Sequence, residues 1–154
     1  VLMDRPPIQS GGNVVVRGAG GGLGTFAVQL CRLNGANAIA VGSSDDKIEL
    51  VRTLGAAAVL DRRQFALADP DTGEPIMDEI KRFGGAIREV TGGVDCDVVF
   101  EHVGAATFHT SVFVCRPFGT IVICGTTSGV QVDFDVRYRA TRPKSVIGSH
   151  FAKL

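Results

Sequence analysis

The sequence has no excess of charge of either sign, because 16 Lys and Arg residues balance 16 Asp and Glu residues. A nucleic-acid-binding protein usually carries an excess of basic residues, and because this chain has none, we do not expect it to bind nucleic acid. No apolar run approaches the roughly 20 residues that a membrane span needs, and no signal peptide opens the chain. These absences predict a soluble, cytoplasmic protein that acts neither on nucleic acid nor in a membrane.

Cysteine is scarce and is not arranged for metal or redox chemistry. No pair among the four cysteines has the CxxC spacing of a zinc or redox site, and no nearby histidines complete a ligand set. We therefore predict no metal site. Cys31 and Cys124 lie in apolar runs, where a buried and reduced thiol is the ordinary state.

Glycine is the residue in excess, with 20 in 154 residues against an average share of about 7%. Hydrophobic residues make up 45% and charged residues 21%, which excludes a disordered chain, and the length is that of one ordinary domain. Residues 1–10 have the composition of a linker, and Leu154 stops just past an apolar run. We therefore expect residues 1–154 to be a single domain of a longer enzyme.

Short apolar runs alternate with helical patterns along the chain. The runs predicted as strands are 13–17, 38–42, 57–60, 97–101, 120–124 and 145–149. The segments predicted as helices are 22–33, 45–54, 76–91 (with Gly84 and Gly85 marking a candidate break) and 107–115. Residues 62–75 are polar and rich in turn formers, so we predict an exposed insertion there. This alternation indicates an α/β, Rossmann-type doubly wound parallel sheet of about six strands with helices on both faces.

A glycine-rich turn follows the first predicted strand and opens the first predicted helix. Ala19, Gly21 and Gly24 have the G-x-G-x-x-G/A spacing, with Ala at the first position. Gly21 would let the backbone approach a pyrophosphate, and Gly24 would let the helix pack closely against the strand. The amino end of the helix would receive the phosphates. The turn therefore predicts a dinucleotide site, with a purely structural turn as the alternative.

The end of the second predicted strand indicates which dinucleotide binds. An NAD site places Asp or Glu there, but this chain has Gly-Ser-Ser at 42–44, with Lys47 one turn later and Arg62 past the third strand. A carboxylate about 4 Å from one unit of 2′-phosphate charge would cost roughly 1–4 kcal/mol. Asp45 and Asp46 oppose a phosphate unless they turn toward the backbone N–H groups of their own helix. We therefore predict NADPH rather than NADH.

Longer segments carry a more specific resemblance. The chain resembles the crotonyl-CoA carboxylase/reductase family, a zinc-independent branch of the medium-chain dehydrogenase/reductases, in the segments GAGGGLGTFAVQLC, AVGSSDDK, DVVFEHVGAATFHTSVFV, GTIVICGTTSG and VIGSHFA. The similarity runs from about residue 12 to 152, and FEHVG with the later DVRY and GSHFA is more specific than the glycine turn. It implies NADPH-dependent reduction of a 2-enoyl-CoA thioester with capture of CO2, which gives an alkylmalonyl-CoA.

The resemblance also implies which residues form the site. The residues along the pyrophosphate would be Ala19, Gly20, Gly21, Gly22, Leu23 and Gly24. Those around the 2′-phosphate would be Ser43, Ser44, Lys47 and Arg62. Those beside the nicotinamide ribose would be His102, Val103, Gly104, Cys124, Gly125 and Thr126. His150 in GSHFA matches the histidine that helps to hold CO2 through an ordered water in this family, and a strand-end histidine bonded to backbone is the alternative.

The GroES-like catalytic domain of the family is absent from this sequence. That domain supplies other CO2-pocket residues and much of the acyl-CoA contact, so the resemblance implies that this chain alone binds cofactor without turnover, within a homo-oligomeric full-length enzyme. Two other functions stay open. One is a non-carboxylating enoyl-CoA or quinone reductase that uses NADPH, in which a proton takes the place of CO2. The other is a non-catalytic nucleotide-sensing domain.

Overall fold

A single parallel sheet organises the part of the chain that the computed structural model describes, residues 8–133 and 143–149. Its strands are β1 (Asn13–Val16), β2 (Asn37–Gly42), β3 (Ala58–Asp61), β4 (Cys96–Glu101), β5 (Cys115–Ile123) and β6 (Ser145–Gly148). Its α-helices are α1 (Gly22–Leu33), α2 (Asp45–Thr53), α3 (Met77–Val90) and α4 (Ala105–Val114). The strand order is β3-β2-β1-β4-β5-β6, and every neighbouring pair is parallel. The predicted doubly wound α/β fold is confirmed.

Helices cover the sheet on both faces because alternate residues of each buried strand point to opposite sides. Val14 and Val16 of β1 pack with residues of α1 and α2. Val15, between them, packs with residues of α3 and α4 on the other face. The near-continuous apolar strands predicted from the sequence are therefore those of a sheet buried on both sides.

Helix α3 is continuous, so the break marked at Gly84 and Gly85 is wrong. A Cβ added at Gly84 would lie 2.6 Å from Cε1 of Phe113 on α4. The glycine is therefore needed for close helix packing rather than for a turn. The insertion begins with an exposed 3-10 turn, Arg62–Gln64, but it is not exposed throughout, because the side chain of Leu67 is buried under the sheet.

The four cysteines are free thiols. Cys31, Cys96 and Cys115 are buried, whereas Cys124 is only half-buried and departs from the predicted full burial. Burial raises the pKa of Cys31 and of Cys124 to about 11 in each case, so both stay protonated at neutral pH. Among the described residues, no helix combines the length and the apolar character that crossing a bilayer would require.

Strand β5 begins at Cys115, five positions earlier than the predicted start, and it runs through Pro117 and Gly119, residue types that locally favour a turn. Its pairing register with β4 shifts between Cys96 and Val98, which accommodates the extra residues as an irregularity in the sheet. Phe118 lies in this segment with a φ of 61°, the left-handed region that disfavours side chains. Its backbone N–H donates to the Pro143 carbonyl at 2.6 Å, which holds it there.

Replacing Phe118 by Gly is expected to stabilise the chain by about 0.5–1 kcal/mol, because relief of left-handed backbone strain exceeds the entropy cost of glycine. Little burial is lost, since the side chain is 79% exposed. Chemical denaturation would measure the change. Phe118→Ala is the matched control, since it removes the ring but keeps the strained Cβ. Equal midpoints for the two variants would contradict a conformational cause.

Candidate functional site

The site lies at the carboxyl edge of the sheet, where the chain leaves β1 for β2 on one side and β4 lies on the other. This is the topological switch point, where parallel α/β sheets form a crevice. The glycine turn begins at the end of β1, and α1 starts at Gly22. No side chain caps α1 and no acidic residue lies in its first turn, so its leading N–H groups are available to an anion.

The glycines of the turn have different neighbours. A Cβ at Gly24 would lie 2.5 Å from the Gly18 carbonyl oxygen and 2.6 Å from Cα of Ala19, so α1 packs directly on the turn. A Cβ at Gly20 would lie 2.5 Å from Cβ of Lys47, whose aliphatic stem crosses the turn there. A Cβ at Gly22 would meet no atom within 4 Å. Gly22 therefore borders open space at the crevice.

Gly24→Ala is expected to destabilise the chain by about 1–3 kcal/mol, because the added methyl overlaps backbone atoms that cannot move aside. Thermal unfolding would measure this. Gly22→Ala places the same methyl in open space at the start of the helix and should leave stability unchanged or slightly higher. Similar losses in both variants would show that helix propensity, rather than close packing, governs the turn.

Small residues and a cation form the corner beyond β2. Ser43 is exposed, Ser44 is the N-cap of α2 without a side-chain capping bond, and Lys47 lies against Gly20. Asp45 accepts a hydrogen bond of 2.5 Å from Arg63 Nη2 instead of turning toward the N–H groups of its own helix. Arg63 also donates to the Asp61 carboxylate at 2.8–3.1 Å, so its single positive charge is shared between two carboxylates. Sequence reasoning missed Arg63, which no motif marks.

Arg62 lies at the same edge of the sheet as Ser43, but its side chain lines a neighbouring cleft. Gly42 pairs with Asp61, so Arg62 leaves the sheet at the same edge as Ser43. Its side chain lines an open cleft of about 1270 Å³ between the insertion and α4. Within the described ranges no hydrogen bond joins it to Ser43, Ser44 or Lys47. Contact of Arg62 with a 2′-phosphate remains a prediction.

The loops that follow β4 and β5 meet above the glycine turn. A Cβ at Gly18 would lie 2.9 Å from Cε1 of His102, so the imidazole ring stands directly over the turn. Nε2 of His102 is buried and has no hydrogen-bond partner in residues 8–133 and 143–149. The carbonyl of Val103 accepts hydrogen bonds from the Ser128 backbone N–H at 2.7 Å and from its hydroxyl at 2.8 Å. The structure thus unites three predicted groups: the glycine turn, residues 102–104 and residues 124–126.

Gly104 ends the first of these loops in a conformation that only glycine adopts readily. Its φ is 97°, and an added Cβ would lie 2.5 Å from the Gly129 carbonyl oxygen. Gly125 is similarly close to the loop, since a Cβ there would lie 3.0 Å from the His102 carbonyl oxygen. Close backbone approach therefore fixes the path of the loop beside the turn.

Beneath the loop lies a buried polar cluster made of Arg17, Glu101, Thr107 and Ser111. One Glu101 oxygen accepts the Val103 and Gly104 backbone N–H groups at 2.8 and 3.1 Å. The other accepts the Ser111 hydroxyl at 2.5 Å, and Thr107 donates to the same carboxylate at 2.9 Å. The sequence holds a signal for this cluster, because Arg17 and Glu101 are charged residues at the ends of two predicted strands whose central residues are apolar.

Arg17 faces Glu101 through Ser111. Its Nε donates to the Ser111 hydroxyl at 3.1 Å, and its guanidinium lies 4.5 Å over the Phe83 ring. Both terminal nitrogens are buried, and neither has a hydrogen-bond partner in the part of the chain that the structure describes. Burial lowers the pKa of Arg17 to about 10, and the Glu101 charge opposes that shift. The guanidinium therefore remains charged at neutral pH.

His150, the predicted catalytic residue, lies outside the described residues, as does the DVRY segment. Residues 8–133 and 143–149 contain no group of three or more His, Cys, Asp or Glu side chains placed to hold a metal ion. The described part of the candidate cofactor site therefore consists of the glycine backbone of the turn, the hydroxyls of Ser43 and Ser44, the basic residues Lys47 and Arg63, and His102.

Known proteins share both the sequence and the fold. Residues 22–153 match the family model for zinc-binding dehydrogenases. A crotonyl-CoA reductase of Streptomyces collinus is 47% identical over 148 residues, covering 94% of this chain and 33% of that protein. A crotonyl-CoA carboxylase/reductase of Cereibacter sphaeroides is 44% identical over 155 residues, covering 96% of this chain and 36% of that protein.

A solved structure agrees with these matches. A 2-octenoyl-CoA carboxylase reductase in complex with NADP and 2-octenoyl-CoA superposes with a TM-score of 0.87 at 36% identity, covering 97% of this chain and 34% of that chain. The chain spans about a third of the length of the relatives that it matches. It therefore belongs to the zinc-binding dehydrogenase family and, within it, is similar to the crotonyl-CoA carboxylase/reductases.

Proposed function

We propose that this chain is the NADPH-binding domain of an enoyl-CoA reductase/carboxylase. The observation that carries the proposal is the corner beyond β2, where Ser43 and Ser44 stand in place of a carboxylate and Lys47 lies against the glycine turn. A 2′-phosphate is compatible with hydroxyls and cations and is repelled by the carboxylate of an NAD site. The NADP complex of the 2-octenoyl-CoA carboxylase reductase supports this assignment.

The described residues fit the cofactor. The open space at Gly22 and the uncapped start of α1 suit a pyrophosphate. Lys47, with its stem on Gly20, would place its ammonium near the 2′-phosphate. When bound, NADPH supplies a hydride. The loops at 102–104 and 124–126 would orient the nicotinamide half and shield it from water.

The activity of the whole enzyme extends the proposal beyond this chain. A 2-enoyl-CoA thioester would be reduced at its β-carbon, and the resulting enolate would attack CO2, with His150 helping to hold CO2. The acyl-CoA contacts would come from a GroES-like catalytic domain in a homo-oligomer. The family description names zinc, but the described residues provide no ligand cluster for it. No role is therefore assigned to zinc.

Titration of the chain with NADPH and NADH tests the cofactor assignment, with cofactor fluorescence as the readout. We expect NADPH to bind at least about 10-fold more tightly than NADH, a difference of about 1.4 kcal/mol. Equal affinities would contradict the assignment of the corner. Binding of neither dinucleotide would contradict the domain function.

Carboxylation is tested separately in the enzyme that carries this domain. His150→Asn should shift the product from the carboxylated to the protonated acyl-CoA, because CO2 would lose a positioning group while the hydride donor stays in place. Mass spectrometry of the products would measure the ratio. An unchanged ratio would favour the non-carboxylating reductase.

A further inference from the structure

We infer that Ser111 and Arg17 are positioning residues for the loop at residues 102–104, and through it for the nicotinamide half of the cofactor. The inference rests on the proposed function, because that function places the nicotinamide beside this loop. Both residues are buried behind the sheet edge, on the α3 and α4 side. They act through Glu101 rather than by touching the cofactor.

The direction of the hydrogen bonds identifies the role of Ser111. A serine hydroxyl has one proton to donate and two lone pairs that accept. Arg17 Nε donates to Ser111 Oγ, so the hydroxyl proton is left for Glu101 Oε2, only 2.5 Å away. A charge-assisted bond of this length is among the stronger hydrogen bonds in proteins. Arg17 therefore aims Ser111 at Glu101.

Glu101 links the Ser111 hydrogen bond to the position of the loop at residues 102–104. With Oε2 held from below by Ser111, Oε1 accepts the backbone N–H groups of Val103 and Gly104. From above, Ser128 holds the Val103 carbonyl. The loop is thus fixed on both sides, and His102 is held over the glycine turn with its Nε2 unpartnered.

Arg17 packs over the Phe83 ring and lies near the Glu101 charge, and among the described residues its side chain donates a single hydrogen bond, to Ser111. Its two terminal nitrogens have no partner within those residues. A buried cation with unsatisfied donors is costly unless the surroundings use it. Its contribution to the site is therefore the orientation of the Ser111 hydroxyl.

The test compares two ligands in the same variants: NADPH, which reaches the loop, and adenosine 2′,5′-bisphosphate, which ends at the adenosine corner. Loss of one hydrogen bond to a charged group corresponds to about a 10-fold change. Ser111→Ala should weaken NADPH binding about 10-fold and change the bisphosphate less than about 2-fold. The fluorescence enhancement of bound NADPH should also fall, and Ser111→Thr, which keeps the hydroxyl, should restore most of both.

Thr110 supplies the matched control, because it is an equally buried hydroxyl residue of α4 that has no bond to Glu101. Thr110→Val should leave both affinities unchanged. If Ser111→Ala does not fold, Ser111→Cys provides the same comparison, because it keeps a side chain of similar shape but replaces the hydroxyl by a weak donor. A folded variant that loses both ligands equally, or neither, overturns the inference. Failure of the unsubstituted chain to bind either ligand contradicts the proposed function instead.

Discussion

Ser44→Asp is expected to weaken NADPH binding by about 10-fold or more while leaving the unfolding temperature unchanged or higher. The 2′-phosphate carries roughly −1.5 to −2 charges. A carboxylate about 4 Å from one unit of that charge costs roughly 1–4 kcal/mol, depending on the local dielectric. Ser44 is the N-cap of α2, where Asp is as favourable as Ser, so the fold should tolerate the change.

Ser44→Asn is the control for this experiment, since Asn also caps helices but adds no charge. It should retain NADPH binding, and NADH should bind the Asp and Asn variants about equally. Isothermal titration with both dinucleotides measures the affinities, and a thermal melt checks the fold. Undiminished NADPH binding by Ser44→Asp would place the 2′-phosphate elsewhere.

Glu101→Gln should destabilise the chain by about 3–5 kcal/mol, because it would leave the buried Arg17 guanidinium without the carboxylate that compensates its charge. Glu101 is fully buried, and Arg17 would remain charged with no compensating carboxylate. The neutral amide would also present an N–H donor toward groups that now donate to the carboxylate. Urea denaturation would measure the loss.

Two further variants separate charge from shape in this experiment. Arg17→Met in the Glu101→Gln background should recover most of the lost stability, because it removes the uncompensated cation and keeps an apolar stem against Phe83. Asp78→Asn also converts a carboxylate to an amide, but in an exposed pair with Lys81, where the cost should be at most about 1 kcal/mol. If Arg17→Met adds to the loss of stability caused by Glu101→Gln instead of reversing it, the charges of Arg17 and Glu101 are not coupled.

Local sequence patterns were sufficient for the elements nearest to the site. The apolar run before the glycine turn, the turn itself and the helix after it occur as predicted, because each is specified by neighbouring residues. The parallel sheet followed from the alternation of strands and helices, since parallel strands require crossovers. Gly55 follows the C-cap of α2 with a φ of 96°, the left-handed conformation for which glycine is common just past a helix end.

The wrong predictions for the start of β5 and for a break in α3 share a physical cause. Residues 115–119 contain Pro and Gly, which locally favour a turn, but pairing with β4 draws Cys115 into the sheet and leaves Phe118 strained. Gly84 and Gly85 locally favour a break, but packing of α3 against Phe113 stabilises a continuous helix. In both cases contacts with residues distant in sequence outweigh local preference.

By itself, the sequence determined the fold class, the glycine turn and the absence of a carboxylate at the end of β2, because each depends on residue types within a few positions of one another. Only the tertiary structure decided that Arg63 meets Asp45, that His102 stands over Gly18, and that Arg17, Ser111 and Glu101 form one buried cluster. These residues lie 10 to 94 positions apart along the chain where a bond joins them, and no periodicity marks such a pairing. Folding brings these residues together because a buried charge is costly unless other groups of the folded chain supply its hydrogen bonds.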